Sequence, residues 1–249
     1  MNAAIMPTSA STVRRLLPDF AYNRRAMAHP LYRGTIVPKP SQSAREAHSE
    51  RIRNALLQSC ADWLCEKPID AITINEIVER AGVAKGSFYN HFPDKEALQA
   101  TVSAAILREV EHQVRANNEN VADPAYRLTR GLCTHIRLAV VDPRRATIML
   151  RGHDWAISGQ HELHKSVRDD VSQGIASGRF AERCRDVGVL QVIGTGYFSM
   201  LRILEQKLPV RGAVDLATRA LSLTLCGFGV EEAEATHIAS ASAKEIIRR

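Results

Sequence analysis

Apolar residues recur along most of this chain at three- and four-residue spacing, the pattern of helices that bury one face. The first such run starts at Ala44, where Ile52, Leu56, Cys60 and Trp63/Leu64 share a face until Pro68. "TINE", residues 73–76, has the form of a capping box. In such a box the Thr73 hydroxyl accepts from the Glu76 amide while the Glu76 carboxylate reaches back. The helix it opens turns Ile74, Ile77 and Val78 inward, and Gly82 ends it in a left-handed conformation. A second short helix begins three residues later and stops near His91. Asp94 then caps a longer helix with Leu98, Val102, Ile106 and Val110 on one face.

"NNEN" and the pair Asp123-Pro124 interrupt the periodicity, so a boundary is expected at 116/117. Beyond it the pattern predicts helices over 124–140, 143–151, 154–177, 187–207 and 213–228. No stretch alternates as a strand does, and no hairpin dipeptide occurs. The expected fold is therefore all-α, with roughly nine helices in all. It divides into a tail over 1–43, a three-helix helix-turn-helix domain over 44–116 and a helical domain over 117–249.

The tail is set apart by composition. Pro7, Pro18, Pro30, Pro38 and Pro40 prevent long helices, and Arg14, Arg15, Arg24, Arg25, Arg33 and Lys39 make it basic. Such a segment is a flexible tail or an arm that adds phosphate contacts. Across all 249 residues the formal net charge is +6, which suggests an acidic partner such as nucleic acid. Five scattered cysteines without a C-x-x-C pair point to buried small hydrophobes rather than disulfides or a zinc site. No secretory signal is evident. The most apolar stretch, from Val187, is broken by Gln191, three glycines and Arg202, so a soluble cytoplasmic protein without a membrane span is expected.

Two short helices joined by "AGVAKG" are the signature of a helix-turn-helix, whose second helix reads the major groove. The capping Thr73, "IVERAGVAKGSFYNHFPDKEAL" and the amphipathic helix before them resemble the DNA-binding domain of TetR-type transcriptional regulators, over residues 47–115. This resemblance implies a homodimeric regulator of double-stranded operator DNA, most often a repressor that a small hydrophobic effector releases. It places Lys85, Gly86 and Ser87 at the start of the reading helix, facing bases or phosphates. Tyr89 and His91 correspond to a phosphate-contacting pair, with Asn90 between them. Lys95 adds charge at the next helix N-terminus, and Thr73 with its neighbouring amide forms another phosphate clamp. Phe88 and Phe92 fall in the core. Ala84 departs from the family, which often has Ser or Thr as this N-cap.

The resemblance also makes the helices near 187–207 and 213–228 the dimerisation pair and the intervening ones the walls of an effector pocket. Within 125–200 the large, adaptable side chains of Tyr126, Met149, Trp155, Tyr197, Phe198 and Met200 suit such a pocket, with His153 and Gln191 as polar anchors. The histidines His153, His161 and His164 lie close in sequence, but "HELH" is not H-E-x-x-H and no metal is expected there. "GTG" at 194–196 sits in a helical run without the rest of a dinucleotide fingerprint. No catalytic arrangement and no cofactor motif appears. The alternatives are a DNA-binding protein without effector and a helical enzyme or lipid carrier.

Overall fold

The computed structural model describes residues 42–152 and 164–248. The N-terminal arm, apart from Gln42 and Ser43, lies outside these residues. So do His153, Trp155 and His161. Ten α-helices and two 3₁₀ turns are present among the described residues, and no strand. None of these helices is long and apolar enough to cross a membrane.

Packing divides the chain into two compact units between Val102 and Ser103. In the first, α1 (Gln42–Glu66) is followed by a 3₁₀ turn (Ile69–Ala71), α2 (Ile74–Ala81), α3 (Lys85–Tyr89) and the start of α4 (Lys95–Asn117). Leu56, Leu57, Cys60 and Leu64 of α1 are buried, as are Ile77, Phe88, Phe92 and Leu98. Burial pushes the Cys60 thiol up to about 12, so this cysteine serves as a small hydrophobe. Ser59 donates to the Ile77 carbonyl at 2.8 Å and the Trp63 indole to that of Glu76 at 3.2 Å, which ties α2 across α1. Arg80 and Lys67 stand over the Trp63 ring, 3.6 and 4.6 Å from its centroid.

The break at "NNEN" ends α4 at Asn117, whereas the packing divides earlier, inside that helix. A helix that stays amphipathic throughout gives no sign in its sequence of where the burial changes hands. The second unit continues with α5 (Pro124–Val141), α6 (Pro143–Arg151), α7 (Lys165–Ala176), a 3₁₀ turn (Glu182–Cys184), α8 (Gly188–Gln206), α9 (Val210–Gly227) and α10 (Glu232–Ile247). Pro124 and Pro143 stand at the first helical positions, where no amide partner is lost, behind the capping carboxylates Asp123 and Asp142.

Helix α5 is central and packs against α6, α7, α8, α9 and α10. The helix expected over 154–177 is described only as α7, from Lys165. One described helix, α10, was not expected. Its buried stripe runs Ala235, Ile238, Ala239, Ser242, Ala243 and Ile246, at regular helical spacing but mostly small. Small residues let it lie close to α5, where Ser242 and Thr129 share a hydrogen bond of 2.8 Å. Arg130 reaches Glu245 from the same side.

Candidate nucleic-acid interface

Helix α2 starts with the full capping box. The Glu76 amide donates to Thr73 Oγ at 3.2 Å, and Glu76 Oε2 accepts from the Thr73 amide at 2.8 Å. The same oxygen takes the Thr73 hydroxyl proton at 2.8 Å, and Lys67 Nζ lies 2.7 Å from Oε1. That surround, led by the Lys67 ammonium, holds the Glu76 carboxyl down at about 2. In this structure the Thr73 hydroxyl and its own amide both serve Glu76, whose carboxylate lies beside the place expected for a phosphate.

Gly82 closes α2 at φ +68°, its amide donating to the Glu79 carbonyl at 3.1 Å, while the Val83 amide reaches Val78 at 3.0 Å. This left-handed turn, strained for any residue with a Cβ, sets the angle at which α3 leaves. Helix α3 is only five residues long and has no side-chain cap bond at Ala84. Such a helix is not stable by itself. It is anchored by Phe88, fully buried, whose ring meets Phe92 at 6.2 Å and Tyr89 edge-on at 5.4 Å.

One face of α3 is thereby committed to the core and the other is left to solvent. Lys85, Gly86 and Asn90 are exposed, Tyr89 is 53% exposed, and Ser87 and His91 are half-buried beside them. A Cβ built at Gly86 meets no atom within 4 Å. None of the described residues therefore demands a glycine there, although glycine weakens a helix by about 1 kcal/mol relative to alanine. The structure thus brings Lys85, Gly86, Ser87, Tyr89, Asn90 and His91 onto one short surface.

Lys95 stands at the first position of α4. Its ammonium donates to the carbonyls of Ile69 at 2.9 Å, Ile72 at 3.0 Å and Asp70 at 3.4 Å. It fastens the 3₁₀ turn to the start of α4. The sequence gives no sign of this, because the acceptors are backbone atoms more than twenty positions away.

Residues 61–102 match the family pattern described as "Bacterial regulatory proteins, tetR family". That stretch of the chain is similar to the DNA-binding part of TetR-family regulators. That match runs from the last turns of α1 to the residue at which the first packing unit ends. The chain is 26% identical over 87 residues to the HTH-type transcriptional regulator EthR of Mycobacterium tuberculosis, covering 35% of the chain and 40% of EthR. It is 27% identical over 151 residues to the HTH-type transcriptional repressor KstR2 of Mycolicibacterium smegmatis, covering 57% of the chain and 70% of KstR2. The crystal structure of RolR with resorcinol is similar at a TM-score of 0.61 and 26% identity, over 79% of this chain and 96% of RolR. The chain thus spans about 40% of the length of EthR and the greater part of RolR.

The second unit separates the residues expected to line one pocket. Met149 and Met200 are buried, and Tyr126 and Tyr197 half-buried. Gln191 and Phe198 instead line an open groove between α8 and α9, together with Val187, Leu190 and Leu223. Phe198 is 69% exposed, Leu223 74% and Leu190 62%. Large side chains exposed side by side on two helices mark a surface that something covers. Sequence reasoning missed Leu190 because α8 is apolar nearly all round, so periodicity does not tell its inner side from its outer one, and it missed Leu223 on α9 because an apolar residue reads as a buried one.

Proposed function

We propose that this chain is a homodimeric transcriptional regulator, a repressor that α3 docks into the major groove of operator DNA and that a small hydrophobic ligand releases. It acts in the cytoplasm, on DNA, and is not an enzyme. The observation that carries this reading is the division of α3: Phe88 fixes it to the core while Lys85, Gly86, Tyr89 and Asn90 stand clear. Lys85 and Ser87 are assigned to base edges and phosphates at the helix start, Tyr89 and His91 to phosphates along its flank. Thr73 and Lys95 act in this reading as supports of the reading unit. The exposed α8–α9 face is assigned to the second copy, since two-fold symmetry presents the same apolar patch to itself. RolR, whose fold covers most of this chain, has been solved with resorcinol, which supports an effector among the helices of the second unit.

Selection of bound fragments from a random DNA pool tests this directly. A near-palindromic site is expected, with half-sites whole helical turns apart. Lys85→Ala should change which fragments are preferred, whereas Tyr89→Phe should weaken all of them alike. An unselective pool, or the same rank order for the Lys85 variant, refutes the assignment.

A further inference from the structure

The buried side of α1 is a stripe in which Leu57, Cys60 and Leu64 follow one another at helical spacing. One turn earlier the same stripe begins with Arg53, a charged residue where the pattern asks for an apolar one. Arg53 is half-buried, and its guanidinium carbon stands over the Phe92 ring, 5.3 Å from the centroid. The aliphatic stem covers apolar surface while the ring face holds the cationic head.

Phe92 fixes where that head lies. It follows His91 directly, and the amides of both residues donate to the Phe88 carbonyl at 2.9 Å. Its ring is also 6.2 Å from that of Phe88, the anchor of α3. The guanidinium is therefore placed beside the end of α3 that leads through Tyr89 to His91, and not beside Lys85 at its start.

The lysines and arginines of the first unit differ in what they already bind. Lys67 pairs with Glu76 and Arg80 with Glu66, Lys95 donates to three carbonyls, and Arg51 gives its Nε to the Ala47 carbonyl. Among the described residues of this unit, Arg45, Arg53 and Lys85 have no hydrogen bond or ion pair. Arg45 and Lys85 are exposed, whereas Arg53 is half-buried and held by a ring. A guanidinium carries its N–H donors in one plane, and here the chain supplies an aromatic face to hold that plane but no anion to meet it.

We propose that Arg53 is a phosphate contact of the reading unit, gripping the same stretch of operator backbone as Tyr89 and His91. The inference rests on the DNA-binding reading above and adds a residue outside the matched pattern of residues 61–102. A phosphate meets the guanidinium plane with two oxygens, and the ring beside it leaves less side-chain freedom to lose on binding. Bases are read from the start of α3, so a cation at its other end contributes affinity and not sequence preference.

The test titrates the full chain against its selected DNA fragments at several salt concentrations, with Arg53→Leu, Arg53→Gln and Arg53→Lys beside the wild type. Arg53→Leu completes the apolar stripe of α1, so urea unfolding should find it no less stable. It should bind every fragment roughly tenfold or more weakly, in the wild-type order of preference. Its plot of log affinity against log salt should flatten by about one unit per protomer on the DNA, hence about two for a dimer. Arg53→Gln keeps part of the stem without the charge and should flatten the plot equally, which decides the matter if the leucine variant does not fold. Arg53→Lys keeps the charge and should keep the wild-type slope. An unchanged slope without the charge, a slope that Arg53→Lys flattens as much, or a changed order of preference overturns the proposal. So does a loss of stability with DNA binding untouched, which would make Arg53 a packing residue. A wild type that binds DNA without preference, yet with a slope that depends on Arg53, would remove the regulator reading and leave the phosphate contact standing. A wild type that binds no DNA removes both.

Discussion

The ammonium of Lys95, held by three carbonyls, decides what its replacement does. Lys95→Met should lower unfolding stability by about 1–3 kcal/mol, because the charge-assisted bonds go and carbonyls lose a donor. It should leave the salt dependence of DNA binding unchanged, which urea titration and binding at several salt concentrations would read separately. A flatter salt slope would return Lys95 to the phosphate backbone. Glu76 gives a second expectation. Its folded-state carboxyl is held at about 2 against an ordinary value of 4.5, so its contribution is complete above 4.5 and is lost as pH falls towards 2. The stability difference between the wild type and Glu76→Gln should therefore shrink across that window, in parallel urea melts. Both residues belong to patterns the sequence displays, a capping box and a K-E-x-L run. The box was readable because its partners are three positions apart. The acceptors of Lys95 were not, since they are backbone oxygens brought near by folding.

Among the elements, the short helices of the first unit were the most legible and the long apolar ones of the second the least. Gly82, the box and the two phenylalanines each constrain the chain locally, so α2, the turn and α3 follow from few residues. Helix α10 escaped because alanine and serine make a weak stripe, although the stripe is the basis of its close fit to α5. Helices α8 and α9 were visible as helices, but their sidedness was not. Phe198 and Gln191 look like pocket residues until the neighbours of α8 are in place. The α8–α9 face yields an expectation at this scale. Leu223→Asp puts a charge on a side chain that is 74% exposed, so the single chain should fold as before. Sedimentation should find it monomeric, and half-site DNA binding should weaken because the second copy no longer contributes.

In the whole molecule, an effector among the helices of the second unit and DNA on the exposed face of α3 would act on different units, and any communication between them is a coupling free energy. Such coupling is reciprocal. If a ligand of the second unit lowers affinity for the selected operator by some factor, saturating operator must lower affinity for that ligand by the same factor, and two titrations check it. The packing division inside α4 was beyond the reach of sequence, because it depends on which helices become neighbours. The bare α8–α9 face has one more consequence. If a second copy covers it, as proposed, the lifetime of the chain depends on its abundance, because pairing stabilises the folded state by mass action. When few copies are made, most stand alone with Phe198 and Leu223 in water, and the unfolded fraction open to proteases rises. Turnover is then fastest when the protein is scarce, and control over its gene acquires a threshold that no DNA contact supplies.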